Sequence, residues 1–212
     1  MRKRYFMAPV VLTTLLLCTG ASAADKAGAL APKGVGRDAC KELTKVYDER
    51  SQELFLVASW LDGYVTSVNT YSNGVYDVAP WQSTDLLVYL VTQFCKENPE
   101  AKIAEAAQWL VQTLSSQRLA EKSNVVETKN GDKTATIYAA VLKRAQEELI
   151  RRGHLQGTAD GAFGPKTQAA LESFPEESNL AKTGLPDQQT LFKLFLEGNR
   201  PAAAPVAAPP KG

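Results

Sequence analysis

Asp160-Gly161-Ala162-Phe163-Gly164-Pro165-Lys166-Thr167-Gln168-Ala169-Ala170-Leu171 sets a tight glycine turn directly in front of a helix. Gly161 and Gly164 permit backbone angles that a side chain would forbid. Pro165 suits a first helical position, and Asp160 can accept backbone N–H bonds inside the turn. The unit occurs twice. Gly161 is followed six residues on by Thr167 and four further by Leu171, and Gly184 is followed at the same spacings by Thr190 and Leu194. Upstream, Val141, Ala145 and Leu149 form the apolar stripe of a helix expected over residues 136–152, which Gly153 ends. One helix followed by two loop-helix units predicts a three-helix domain over residues 134–198.

This block resembles the peptidoglycan-binding family at many spaced positions. Ala145-Gln146, Leu149, Gly153 and His154 stand where the family has a Leu/Ala-Gln pair, a Leu, a Gly and an aromatic ring. Gly157 and the Asp160–Gly164 turn follow, then Thr167, Ala170 and Phe174, then Thr183-Gly184 and Asp187 in register. His154, Pro175 and Asn179 depart from the family's usual aromatic, Gln and Gly. Asn tolerates positive φ better than other side chains, so a turn can survive at Asn179. Singly, most of these positions serve folding; the whole pattern points to a ligand. The resemblance implies a shallow groove near these loops that holds a stem peptide or glycan of the wall. Asp160, Ala162, Thr167 and Gln168 are its expected contacts, with His154 as a stacking or hydrogen-bonding contact.

An earlier block reads as helical too. Leu54, Ala58, Leu61, Val65 and Val68 recur at steps of four and three, one face of a helix expected over residues 43–71. Ser83 or Thr84 can cap a second helix that carries Leu86, Leu87, Leu90, Val91 and Phe94. Asn98-Pro99 is read as the cap and first turn of a third, with Ile103, Ala107, Leu110, Val111 and Leu114 on its apolar face. Cys40 and Cys95 are the only cysteines outside the N-terminal segment, and in an exported chain they are expected to form one disulfide. The fold class is therefore all-α: a disulfide-stapled N-terminal helical domain over residues 39–120 and the three-helix domain after it. Ser59-Trp60-Leu61-Asp62-Gly63-Tyr64-Val65, Ser67-Val68-Asn69, Phe94-Cys95 and Asn98-Pro99 resemble HdeA-type periplasmic helical domains. That resemblance implies an acid-triggered holdase, driven by loss of carboxylate charge. Asp48, Glu49, Glu53, Asp62, Asp77 and Asp85 are available for it, though they also suit an ordinary solvated face. Trp60, Tyr64, Trp81 and Trp109 read as core.

The remaining segments frame these blocks. Arg2, Lys3 and Arg4, the apolar run from Phe6 to Cys18 and Ala21-Ser22-Ala23 make residues 1–23 a secretory signal peptide, too short for a membrane span. Residues 24–38 read as a flexible leader and residues 199–212 as a disordered Pro/Ala tail. Residues 121–133 read as a linker, with a hairpin turning at Asn130-Gly131 as the alternative. Cleavage leaves 21 basic residues against 23 acidic ones, a net charge of −2. That argues against nucleic acid as a partner, and no membrane contact is expected after cleavage. Peptidoglycan is the expected partner, with a periplasmic protein as a further partner of residues 39–120. No catalytic residues, metal site or cofactor is expected. A metallopeptidase needs several His or carboxylate ligands and the chain has one His. A cysteine transpeptidase needs a free thiol beside a His.

Overall fold

In a computed structural model, residues 31–178 and 181–197 are described. The expected signal peptide, Asn179 and the expected tail lie outside the described residues. The single helix expected over residues 43–71 is two: α1, Cys40–Asp48, and α2, Leu54–Tyr71. Arg50 between them has φ 52°, the left-handed region that stops a helix. Ser83 caps α3, Thr84–Glu97, its hydroxyl oxygen accepting from the Leu86 N–H at 3.3 Å. The next helix, α4, covers Ile103–Leu114 and does not begin at Pro99. Asn98 is held back on α3, its Nδ2 donating to the Phe94 carbonyl at 2.9 Å. Glu105 sets the new start by accepting the Lys102 N–H at 3.0 Å.

These helices enclose a first core that includes Leu43, Leu61, Val91, Ile103 and Leu110. Burying each such side chain is worth about 1.5–3 kcal/mol relative to leaving it exposed. The Cys40–Cys95 disulfide forms as expected, and both cysteines are fully buried. Part of the expected flexible leader belongs to this core. Gly34–Arg37 makes a 3-10 turn with Gly36 buried against Trp60. A Cβ on Gly36 would lie 2.2 Å from Trp60 Cζ2, so only glycine admits the indole there. The Asp38 carbonyl then accepts from the Ile103 N–H at 3.0 Å.

Most of the expected linker is a hairpin. β1, Val125–Asn130, pairs antiparallel with β2, Lys133–Tyr138, with Gly131 at φ 61° in the turn. A lone hairpin is marginal in water; this one is anchored at both ends. Ile137 is buried in a second core. At the tip, Asn130 Nδ2 donates to the Thr183 carbonyl at 2.9 Å and to Glu172 Oε1 at 3.0 Å. Because β2 takes residues 133–138, the following helix α5 covers Ala139–Arg151 and starts later than expected. Gly153, at φ 83°, ends it, and the His154 N–H reaches back to the Leu149 carbonyl at 2.9 Å. α6, Pro165–Ser178, and α7, Gln188–Phe192, complete the second core, and α7 passes into a π-helical turn, Lys193–Glu197. The fold is mainly helical, with this hairpin as its sheet among the described residues.

The two cores meet directly within one compact unit that begins at Lys33. Leu119 pairs with Asp77 in a short antiparallel bridge while its side chain is buried in the second core. Trp81 packs on Phe195 with ring centres 5.4 Å apart, and Tyr89 meets Phe192 edge-on. The Ser83 N–H donates to Gln188 Oε1 at 2.6 Å. No helix among the described residues is long and apolar enough to cross a membrane.

Candidate functional site

Gln146 interrupts the apolar stripe of α5 and is only 2% exposed. A buried amide is costly unless paired, and this one organises the glycine turn. Its Oε1 accepts from the Asp160 N–H at 2.9 Å and the Gly161 N–H at 2.7 Å. Its Nε2 faces Asp160 Oδ1 and the Ala162 carbonyl at 2.9 Å each, and Thr167 Oγ1 at 3.0 Å. Gly161 is at φ 75°, and a Cβ there would lie 2.6 Å from the Ala139 carbonyl oxygen, so the turn is seated on the first residue of α5.

Three expected contact residues are thus brought together. Asp160 and Ala162 are exposed, whereas Thr167 is buried with its hydroxyl on Gln146. Asp160 Oδ1 also accepts from the Ala162 N–H at 2.9 Å. That backbone bond, and then the Gln146 amide, hold the Asp160 carboxyl below the usual carboxylate range. The carboxylate is therefore a fixed, charged group beside a small exposed side chain, suited to receive donors from a ligand. Gln168 joins a different chain of contacts, its Nε2 donating to Glu172 Oε1 at 3.2 Å. His154 is placed apart, beyond the C-terminal end of α5. Its Nδ1 lies 3.2 Å from Ser173 Oγ and its ring meets Phe174 edge-on at 5.5 Å.

The second turn repeats the design with different partners. Gly184 is at φ 64°, Asp187 caps α7 by accepting the Thr190 N–H at 2.8 Å, and Thr183 Oγ1 donates to Asp187 Oδ2. Glu148, near the end of α5, holds both Arg151 and Arg152, and Arg152 Nη2 continues to the Leu194 carbonyl at 2.8 Å.

Two clefts lie elsewhere, and none of the five expected contact residues lines either. One of about 310 Å³ is bordered by Trp81, Gln117, Arg144, Glu147, Arg151 and Phe195. The other, of about 260 Å³, shares Trp81 and adds Thr136, Pro186 and Gln188. Sequence reasoning placed Trp81 in the core and gave no role to Arg144 or Phe195, because the juxtaposition joins residues more than sixty positions apart. Gln146 did carry a signal, an amide set between Leu142, Ala145 and Leu149. Among the described residues no group of three or more His, Cys, Asp and Glu could hold a metal.

A disulfide-tied helical block joined to a module built on two glycine turns is the class these features define. Residues 140–194 match the peptidoglycan binding domain family, from the start of α5 through both glycine turns. Residues 7–105 match the HdeA/HdeB family, a stretch that holds both disulfide cysteines. Both resemblances read from the sequence are borne out. No curated protein and no solved structure matches the chain significantly.

Proposed function

We propose that this is a non-catalytic periplasmic protein whose residues 134–198 hold peptidoglycan and whose residues 39–120 engage a protein partner. The observation that carries the reading is the turn organised by Gln146, within a segment that matches peptidoglycan-binding domains. It presents the Asp160 carboxylate and the Ala162 methyl group to solvent on a preorganised backbone. Preorganisation lowers the ordering cost of binding a flexible polymer. The export signal and the two family matches support the periplasm as its location. The test is co-sedimentation of the mature chain with purified sacculi. Wild type is expected in the pellet and Asp160→Ala with Ala162→Trp in the supernatant; wild type left in the supernatant removes the reading. No soluble muropeptides are expected to be released in the same incubation.

A second reading, an acid-stress holdase, is favoured by α2. Phe55, Leu56 and Tyr71 there are 74%, 57% and 85% exposed, an unusual apolar display for a segment that matches the HdeA/HdeB family. Suppression of client light scattering at low pH by the mature chain supports it, and unchanged aggregation removes it.

A further inference from the structure

We propose that the cleft on the second core, closed on one side by Trp81 and Gln117 from the first block, binds a sugar ring bearing a carboxylate, with Trp81 against the ring and Arg144 and Arg151 on the carboxylate. The volume of about 310 Å³ is at the small end for ligand pockets and suits one substituted ring better than a chain of them. The aromatic wall is fixed before any ligand arrives. Trp81 Nε1 donates to Gln117 Oε1 at 3.1 Å, and its ring rests on Phe195 at a tilt of 52°. A half-buried indole held in this way offers an apolar surface to the C–H face of a pyranose at little ordering cost.

The charges select an acid. Arg144 is half-buried and donates to the Gln117 and Arg118 carbonyls. No carboxylate lies within ion-pair distance of it among the described residues. A guanidinium has five N–H donors, so these two contacts leave others for a ligand. Arg151, with 63% of its side chain exposed, shares Glu148 with Arg152. Three guanidiniums thus stand beside two carboxylates, Glu147 and Glu148, and a carboxylated ligand would balance the excess. Glu147 is exposed and in none of the ion pairs, and it can accept from a ring hydroxyl or an amide N–H.

Neither matched family contains this site. Trp81 falls in the stretch matching the HdeA/HdeB family and Arg144 to Arg151 in the peptidoglycan-binding stretch, while Gln117 and Phe195 fall in neither. The choice of an acidic amino sugar rests on the wall-binding reading and requires a muramic acid whose carboxyl is free of its stem peptide; the existence of the site does not rest on that reading.

The experiment titrates the mature chain with N-acetylmuramic acid and, separately, with N-acetylglucosamine, following tryptophan fluorescence. Saturable binding of the acid about tenfold tighter than of the neutral sugar is expected, the difference that charge-assisted hydrogen bonds confer. Arg151→Gln, checked by circular dichroism to be folded, should reduce that preference severalfold while Arg144 keeps the remainder, and Trp81→Phe should weaken both sugars. Absence of saturation, equal affinity for the two sugars, or an unchanged preference in Arg151→Gln overturns the site. A free stem peptide that displaces the acid and binds more tightly overturns the ligand class. Sacculus co-sedimentation of the same sample separates the two proposals. Capture without monosaccharide binding defeats this site alone, and monosaccharide binding without capture defeats wall anchoring alone.

Discussion

Replacing Gln146 by leucine tests whether one amide holds the first glycine turn. Leucine keeps the volume of the stripe but removes the acceptor for the Asp160 and Gly161 N–H groups and the donor to Asp160, Ala162 and Thr167. Asp160 is exposed, so water can replace its share. Gly161 is buried and its N–H cannot be rescued in that way, while the buried Thr167 hydroxyl keeps only its long 3.5 Å contact with the Ala162 carbonyl. The unpaired Gly161 N–H costs about 2 kcal/mol and the bond lost at Thr167 about 1 kcal/mol, together about 3 kcal/mol. For a unit of this size that lowers the melting temperature by about 6–12 °C. Thermal unfolding followed by circular dichroism measures the loss, and amide exchange at Gly161 locates it. Gln146→Glu adds a control with a definite sign. Its carboxylate still accepts from the two N–H groups, but it faces Asp160 Oδ1 and the Ala162 carbonyl with no donor. A buried carboxylate beside Asp160 has its pKa raised, so this variant should be weakest at neutral pH and recover as pH falls and the group protonates. A Gln146→Leu melt within about 1 °C of wild type, with Gly161 exchange unchanged, refutes the assignment.

Three further outcomes follow from the same contacts. The Glu148 carboxyl is held below its usual range by its hydrogen bond to Arg151 and then by Arg152, against an opposing effect of burial. Its stabilisation is present above the unfolded value of about 4.3 and is lost as pH falls through the lower folded value. Glu148→Gln should therefore lower the urea midpoint by about 1 kcal/mol equivalent at neutral pH and leave it unchanged at the acid end of the titration. Gly36→Ala drives a methyl group into the Trp60 ring and should cost about 1–3 kcal/mol in chemical denaturation; a neutral result means that the 34–37 turn is not packed on Trp60. Replacing both Cys40 and Cys95 by serine releases a 55-residue loop and should cost about 4 kcal/mol in urea without reductant, whereas a loss under about 1 kcal/mol refutes an entropic role for the bridge.

What the sequence made legible was periodic or local. The α2 stripe, the Ser83 cap, the Gly153 stop and the two glycine turns each depend on residues within a few positions of one another. The misreadings depend on distant partners. Residues 34–37 look flexible by composition, and only the presence of Trp60 turns Gly36 into a packing requirement. The hairpin looks like a linker because its support comes from Glu172 and Thr183, some forty and fifty residues away. The break between α1 and α2 falls at Arg50, which carries no sequence mark of a left-handed residue. At the site, the turn pattern identified Asp160, Ala162 and Thr167 as neighbours, but it could not show that Gln146 is what makes them so. His154 was grouped with them by family pattern alone, and it packs instead on Ser173 and Phe174.

The same long-range contacts decide how the two helical blocks relate. Had residues 121–133 been a flexible tether, an interaction made by residues 39–120 would be free to reorient about the wall module. Instead Leu119 leaves the first block through its bridge with Asp77 and is buried in the second core. Arg144 donates to the Gln117 and Arg118 carbonyls, and Trp81, from the first block, packs against the second core on Phe195. To swing one block relative to the other would strip these apolar contacts and leave the Arg144 guanidinium without its carbonyl acceptors. Losing hydrogen bonds to a charged group costs about 1.5–3 kcal/mol before any loss of buried area is counted. The blocks therefore act as one body, and a ligand seated between Trp81 and Arg144 would tighten that body further, because it binds only where both walls are in place.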